Sequence, residues 1–406
     1  MNNLLSGLRV IEGSAFVAAP SAGMTLSQMG AEVIRFDPIG GGLDYNRWPV
    51  TDEGTSLYWT SLNKGKKSIA LDIRRPEGRE IAVALISAPG PDAGIFLTNF
   101  PAAGWLDYEK LKAQRQDLIM INVKGDRDGG SGIDYTVNCA VGFPMVTGHS
   151  GNDRPVNHVL PAWDVSTGLY AVNGLLAAER HRSRTGEGQF VSVALSDVAF
   201  ATAATLGYVA EAQINEAERT RTGNDLYGSY IRDFKTKDNR YVVITALTPG
   251  HWKALVQTLD LGDAVAAIET ESGLDLGKEG NRYRTREQIS ALIEPWCAAR
   301  SLDEVEKVLD DGRVLWGPYR TFNEALEKDW RFSIENPIFQ NVLQPGVGNY
   351  MMPGLPMDFS ASERSDVVPA PLLGQHTEEI LGEVLKLSSG EIGRLHDDGL
   401  VASQQI

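Results

Sequence analysis

The N-terminal third of the chain alternates short apolar runs with longer stretches whose apolar positions recur every three or four residues. The runs Leu8–Glu12, Ala31–Phe36, Lys67–Asp72, Ala93–Asn99 and Leu118–Val123 have strand length and are rich in Val, Ile and Leu. Between them, Ala22–Met29, Gly78–Ile86 and Tyr108–Gln114 carry helical spacing. Mostly apolar strands separated by helix-length segments predict a parallel sheet covered by helices on both faces. The fold class is therefore α/β, with a Rossmann-like large domain whose first part spans 1–215. Farther along, Leu169–Ala178 and Val191–Ala212 predict helices. Tyr230–Phe234 and Tyr241–Leu247 flank the turn Lys237-Asp238-Asn239-Arg240 and predict a hairpin. Helices over His251–Leu259, Thr285–Arg300 and Leu302–Leu309 complete a smaller α+β domain at 220–320. Residues 321–406 open with Gly- and Pro-rich loops and close with a helix over Thr377–Leu387.

Composition narrows the function classes. A hydrophobic content of 42% with 22% charged residues describes a globular protein, and 406 residues are enough for more than one core. A net charge of −15 and a pI near 4.9 argue against nucleic acid or a membrane surface as partner. The longest uncharged stretch, Asn336–Met357, is broken by Pro and Gly and predicts no membrane span. The N-terminus lacks a signal-peptide pattern, so a cytoplasmic location is expected. Cys139 and Cys297 are expected as reduced core residues, and no metal site is expected from the spacing of the six histidines. Against this acidic background, Asn63-Lys64-Gly65-Lys66-Lys67-Ser68, Arg74-Arg75 and Lys124 form a local basic group suited to phosphate. Arg74 and Lys124 follow predicted strands, where α/β sheets bind ligands.

Asp164 is the main candidate for chemistry. It stands in Leu160-Pro161-Ala162-Trp163-Asp164, just ahead of the predicted helix Leu169–Ala178. One reading is an N-cap, which satisfies orphan N–H groups and meets the positive end of the helix dipole. The other is a desolvated carboxylate that attacks a carbonyl carbon.

Several longer motifs decide the family context. Gly7–Glu12, Gly30–Arg35, Asn63–Asp72, Pro76–Arg79, Asn99-Phe100, Arg184–Gln189 and Leu373–Leu381 closely resemble segments of the class III coenzyme A transferases. That resemblance implies a Rossmann-like large domain built from both chain ends, with 321–406 as linker and C-terminal return. It also implies a small domain and an interlocked homodimer. The nucleophilic aspartate of the family falls on Asp164, upstream of Arg184-Thr185-Gly186-Glu187-Gly188-Gln189. The family's coenzyme A pocket falls on Val17, Ala18, Arg47, Leu71, Arg74, Asn99, Phe100 and Lys124, and Trp48 falls near the acyl group. Coenzyme A is implied as part of the acyl-CoA substrate, with no permanently bound cofactor. Pro38 and Pro101-Ala102 depart from the family pattern around the cofactor.

The family also contains racemases, which need acid/base groups flanking an α-carbon. Ile133 stands where the racemase histidine is expected and Thr248 near the expected glutamate, which favours acyl transfer. In the transfer, Asp164 forms a mixed anhydride and then an aspartyl-CoA thioester. Backbone N–H groups near Gly168 are candidates for oxyanion stabilisation. Val156–Asp164 and Thr222–Gly228 resemble members that move CoA between the C1 and C4 carboxyls of mesaconate within the 3-hydroxypropionate carbon-fixation cycle. Trp163 and Pro161 suit a water-poor wall or plain packing, and Arg47 and His158 are candidates for the distal carboxylate. The alternatives are intermolecular CoA transfer to a different acid, and an acyl-CoA-binding protein without turnover.

Overall fold

The computed structural model describes residues 3–216 and 218–404. Met1 and Asn2 of the N-terminal segment, and the expected domain ends at 1 and 406, lie outside the described residues. The chain forms two compact units. The first comprises Met1–Val141, His158–Asn215 and Trp330–Ile406; the second comprises Gly142–Asn157 and Glu216–Asp329. Residues 142–157, read in sequence as part of the first segment, thus group with the second unit. Arg221 ties them there by donating to the carbonyls of Met145 and Asn152. Residues 321–329, read as the start of the linker, also belong to the second unit, where Arg240 pairs with Glu324 at 2.7 Å.

In chain order the N-terminal segments are β1 (Arg9–Gly13), α1 (Ala18–Gln28), β2 (Glu32–Pro38), α2 (Leu57–Leu62), β3 (Lys67–Leu71) and α3 (Pro76–Ile86). Then follow β4 (Ile95–Thr98), α4 (Tyr108–Gln114), β5 (Ile119–Lys124), α5 (Asp134–Val141) and the short α6 (Phe143–Val146). The segment continues with α7 (Ala162–Thr185), β6 (Phe190–Ala194), α8 (Leu195–Thr205) and α9 (Tyr208–Asn215). The second unit contributes β7 (Tyr230–Lys235), β8 (Tyr241–Ala246), α10 (Pro249–Thr258), α11 (Gly262–Ser272), α12 (Glu279–Arg284) and α13 (Arg286–Ala298). It ends with α14 (Leu302–Asp311), β9 (Leu315–Pro318) and α15 (Phe322–Lys328). The C-terminal return supplies β10 (Phe339–Gln344), β11 (Gly348–Pro353), α16 (Thr377–Glu383), α17 (Ser389–Asp397) and β12 (Val401–Ala402).

Among the described residues, seven strands form one sheet in the order β12-β3-β2-β1-β4-β5-β6. All neighbours run parallel except β12, which joins β3 antiparallel and so ties the C-terminus to the first unit. Alternation along each buried strand feeds two cores. Val10, Val33, Ile95 and Ile119 face α1 and α7, while Ile11, Ile34, Phe96 and Met120 face α3, α4 and α16. The order reverses between β1 and β4, and that switch point is where an open parallel sheet leaves a crevice.

Two sequence expectations differ from the structure. Phe190–Ala194 is an edge strand paired to β5 and not the start of a helix; its β-branched residues alternate, and Val191 packs on the core. Cys139 is exposed, because α5 turns Asp134, Val137 and Asn138 inward instead. Cys297 is buried as expected. The second unit holds the expected hairpin, β7 with β8, extended by β9 and covered by helices over a separate core. No described helix is long and apolar enough to cross a membrane.

Beneath the carboxyl end of β1 lies a buried ionic cluster. Arg35 donates to both oxygens of Asp37 at 2.9 Å, and reaches Glu12 and Asp44 at 3.3 Å. Lys66 pairs with Glu12 at 2.8 Å and donates to the Pro20 carbonyl. Helix α1 must approach this cluster closely: a Cβ at Gly23 would lie 1.8 Å from Glu12 Oε2. Removing one partner of a buried ion group strands the others in a low-dielectric interior. Arg35→Met is expected to lower unfolding stability by about 3–5 kcal/mol, measured by urea denaturation; a loss within experimental error would show that the cluster is not holding the fold.

Candidate active site

Helix α7 starts two residues before Asp164, so Asp164 occupies the first helical turn and is not the cap. The N-cap position is Pro161, which contributes no side-chain cap. Its place is taken by Asp134, at the start of α5. Asp134 Oδ2 accepts from the backbone N–H of Trp163 at 2.7 Å and of Asp164 at 3.1 Å. The structure therefore separates the two roles that the sequence allowed for Asp164: another carboxylate caps the helix, and the Asp164 side chain is released from that task.

The Asp164 carboxyl is partly buried. Burial, reinforced by the charge of Asp134, pushes it up to about 6, against the opposing pull of Arg47. Arg47 is held over the Phe16 ring at 5.3 Å and the Tyr58 ring at 5.2 Å. Burial pushes the Tyr58 hydroxyl up to about 12, and Arg47 opposes the shift. Phe16 adopts a left-handed φ of 70°, a costly conformation for an aromatic residue. The loop is fixed there because Phe16 N donates to Asp44 Oδ2 at 2.9 Å, while Asn99 accepts from Ala15 N and donates to Ala15 O.

The expected site residues divide into groups. Val17 and Ala18 open α1 beyond β1, and Asn99 and Phe100 follow β4, so these four gather at the sheet's switch point. A cavity of about 400 Å³ opens there, lined by Ser14, Ala15, Pro38, Phe100, Pro101 and Trp105 among others. Both proline departures thus line this cavity. Arg47 lies beside Asp164 electrostatically, and its neighbour Trp48 is 79% exposed. Leu71 is fully buried in the core, and its carbonyl accepts from the backbone N–H groups of Ile39 and Ile73. Arg74 is exposed and paired with Asp72 at 2.9 Å, and Lys124 donates to the Arg127 carbonyl at 2.6 Å. Neither lines the cavity.

Two expectations are corrected by these contacts. The lysines of Asn63–Ser68 do not form a phosphate patch. Lys64 and Lys66 are buried, Lys66 inside the ionic cluster, and Lys67 pairs with Glu32 and Glu379. Gly168 does not offer an oxyanion donor, since its N–H lies inside the α7 ladder. Its role is steric: a Cβ there would lie 2.4 Å from Ser21 Oγ and 2.7 Å from Ala18 O on α1. Thr248 caps α10 by accepting from His251 N at 3.2 Å. Sequence pattern does not single out Asp134, because the N–H groups it caps lie 29 and 30 positions away and no local spacing announces a cap supplied from another helix.

Residues 5–377 match the sequence profile of the CoA-transferase family III. The chain belongs to that family. It is an enzyme, a CoA-transferase, with the α/β fold of the family. It is 57% identical to 2-methylfumaryl-CoA isomerase of Chloroflexus aurantiacus over 403 residues, covering 99% of this chain and 98% of that protein. It is 29% identical to succinyl-CoA:mesaconate CoA-transferase of Haloarcula marismortui, covering 93% of this chain and 96% of that protein. A CaiB/BaiF family protein from Brucella suis superposes with a TM-score of 0.77 at 26% identity, covering 95% of this chain and 100% of that one.

The raised Asp164 carboxyl has a consequence for stability. A carboxyl that holds its proton more tightly when folded contributes stability in acid, and that contribution is lost as pH rises through about 6. Asp164→Asn cannot ionise, so it is expected to melt higher than the parent enzyme near neutral pH. The expected gain is on the order of 1–3 kcal/mol, shrinking toward zero in acid. Thermal melts at both pH values check this.

Proposed function

We infer that this enzyme transfers CoA between the C1 and C4 carboxyls of mesaconate, as its 57%-identical relative's name, 2-methylfumaryl-CoA isomerase, states for that protein. The observation that carries the reading is that identity over 99% of the chain, combined with a partly buried carboxylate released from capping duty. Coenzyme A enters as part of the substrate. Phe100, which lines the cavity, supports its binding there, with Val17, Ala18, Arg47, Leu71, Arg74, Asn99 and Lys124 assigned to the same cofactor by the family resemblance. Trp48, beside Arg47, is assigned to the acyl group.

The chemistry runs as balanced acyl exchanges. The Asp164 carboxylate attacks the thioester carbonyl, the C–S bond breaks, and CoA thiolate leaves from a mixed anhydride. The thiolate attacks the aspartyl carbonyl, giving an aspartyl-CoA thioester and free mesaconate. Mesaconate turns in place and its other carboxylate attacks that thioester, expelling thiolate and reforming an anhydride. Thiolate then attacks the mesaconyl carbonyl, which yields the isomeric thioester and restores Asp164. Covalent capture divides one difficult exchange into easier steps. Trp163, 6% exposed, and Pro161 support a wall that limits water near the acyl-enzyme.

A homodimer of the interlocked family type fits the apolar residues that one chain leaves uncovered. Val165, Leu169 and Tyr170 on α7, with Phe200, Val209 and Ile214 on α8 and α9, are all exposed. Exposed apolar residues grouped in this way support the homodimer reading.

The name of the 29%-identical relative, a succinyl-CoA:mesaconate transferase, favours intermolecular transfer as the second reading. Incubating the enzyme with mesaconyl-C1-CoA alone is expected to give the C4 isomer by chromatography. Labelled external mesaconate should remain outside the product; efficient incorporation would favour the second reading instead. Asp164→Ala is expected to abolish turnover, and hydroxylamine during turnover to mark position 164 by mass spectrometry. Because the nucleophile must be ionised, kcat is expected to fall as pH drops through about 6, well above the ordinary carboxylate range.

A further inference from the structure

The carboxylate that caps α7 has a second partner. Asp134 is 2% exposed, and its Oδ1 lies 2.6 Å from His158 Nε2. With an ionised carboxylate as acceptor, that ring nitrogen carries the proton. The imidazole is held on both sides: its ring centroid lies 6.0 Å from Tyr135 in an edge arrangement and 6.3 Å from Trp163. Tyr135 donates from its hydroxyl to the Val159 carbonyl at 3.2 Å, and Trp163 donates from its indole N–H to Asn138 at 3.1 Å. Helix α5 thus grips the chain on both sides of Pro161 with Asp134, Tyr135 and Asn138. One carboxylate joins the imidazole to the backbone of the residue proposed as nucleophile.

We propose that the buried Asp134–His158 pair is a positioning device for Asp164: it fixes the first turn of α7 and, through the share of Asp134's charge that His158 takes up, sets how readily the Asp164 carboxylate ionises. This rests on the reading of Asp164 as nucleophile. A helix N-terminus would by itself favour an ionised carboxylate in its first turn. Asp134 spends that field by accepting the free N–H groups, and its own negative charge opposes ionisation of Asp164. A donor on the far oxygen of Asp134 draws charge away from Asp164 and weakens the opposition. Other titratable groups that face the trio include Arg47, Tyr58 and Tyr135, with Asp44 acting on Tyr58. Of these, Arg47 also favours the ionised form of Asp164.

The test uses the purified full-length enzyme and two readouts across pH: kcat, and the yield of hydroxylamine-trapped Asp164. Asp134→Asn keeps an acceptor for the α7 N–H groups but removes the charge. It is expected to move the acid midpoint of both readouts down by about half a pH unit or more. His158→Leu removes the donor and is expected to move both midpoints up. His158→Gln, which can still donate an N–H, is expected to lie closer to the parent enzyme than His158→Leu does. Lowered melting temperatures with unmoved midpoints would reduce the pair to a structural cap and overturn the proposal. If the parent enzyme is never trapped at position 164, the nucleophile reading itself fails. Trapping at 164 with midpoints that ignore both substitutions overturns only the role given to the pair.

Discussion

A single buried guanidinium organises the carboxyl end of the sheet beside β1. Arg35 sits between Glu12, Asp37 and Asp44 and also donates to the Ser14 carbonyl. Its charge allows three carboxylates to share one buried cluster, with Lys66 neutralising part of the excess. The contact to Asp44 is the one that reaches the site. Asp44 holds the N–H of Phe16, Phe16 keeps its left-handed backbone, and its ring supports Arg47, the cation whose field acts on Asp164. A loop with that much imposed conformation persists only where the surrounding structure over-determines it.

The Asp164 neighbourhood shows a trade between stability and reactivity. An N-terminal helical position ordinarily rewards an acidic side chain with unpaired N–H groups and a favourable dipole. Here those donors are taken by Asp134, and Asp164 is left in partial burial beside a like charge. A carboxylate in that condition is a stronger nucleophile than a solvated or capped one, because less of its charge is neutralised by hydrogen bonds. The cost to the fold is moderate, since Arg47 offsets part of it.

Close packing places this turn against the rest of the first unit. Gly168 lets α7 lie against the Ala18 carbonyl and Ser21 of α1, where a methyl group would collide. The same contact brings the start of α1, with Val17 and Ala18, next to the turn that carries Asp164. The cavity and the loop that carries Phe16 thus lie beyond the carboxyl ends of β1 and β4, and Asp164 feels that loop through Arg47. The family's assignment of those positions to coenzyme A meets the cavity lining at Phe100 and not at Asn99. It finds no support from the cavity lining for Arg74 or Lys124.

Much of this was written into the chain order of side chains. The mostly apolar runs Leu8–Glu12, Ala31–Phe36 and those that follow determined the strands, because a strand buried on both faces is apolar at most of its positions. The long motifs determined the family, and position relative to Arg184–Gln189 singled out Asp164. Local pattern could not decide the fate of Phe190–Ala194, a short apolar run that suits either strand or helix until β5 offers it a partner. Nor could it decide that Lys64 and Lys66 turn inward, since a basic run reads the same whether solvated or paired with Glu12. The division of labour between Asp134 and Asp164 came from tertiary structure alone. Capping is a contact between a carboxylate and two N–H groups, and folding is free to bring that carboxylate from another helix.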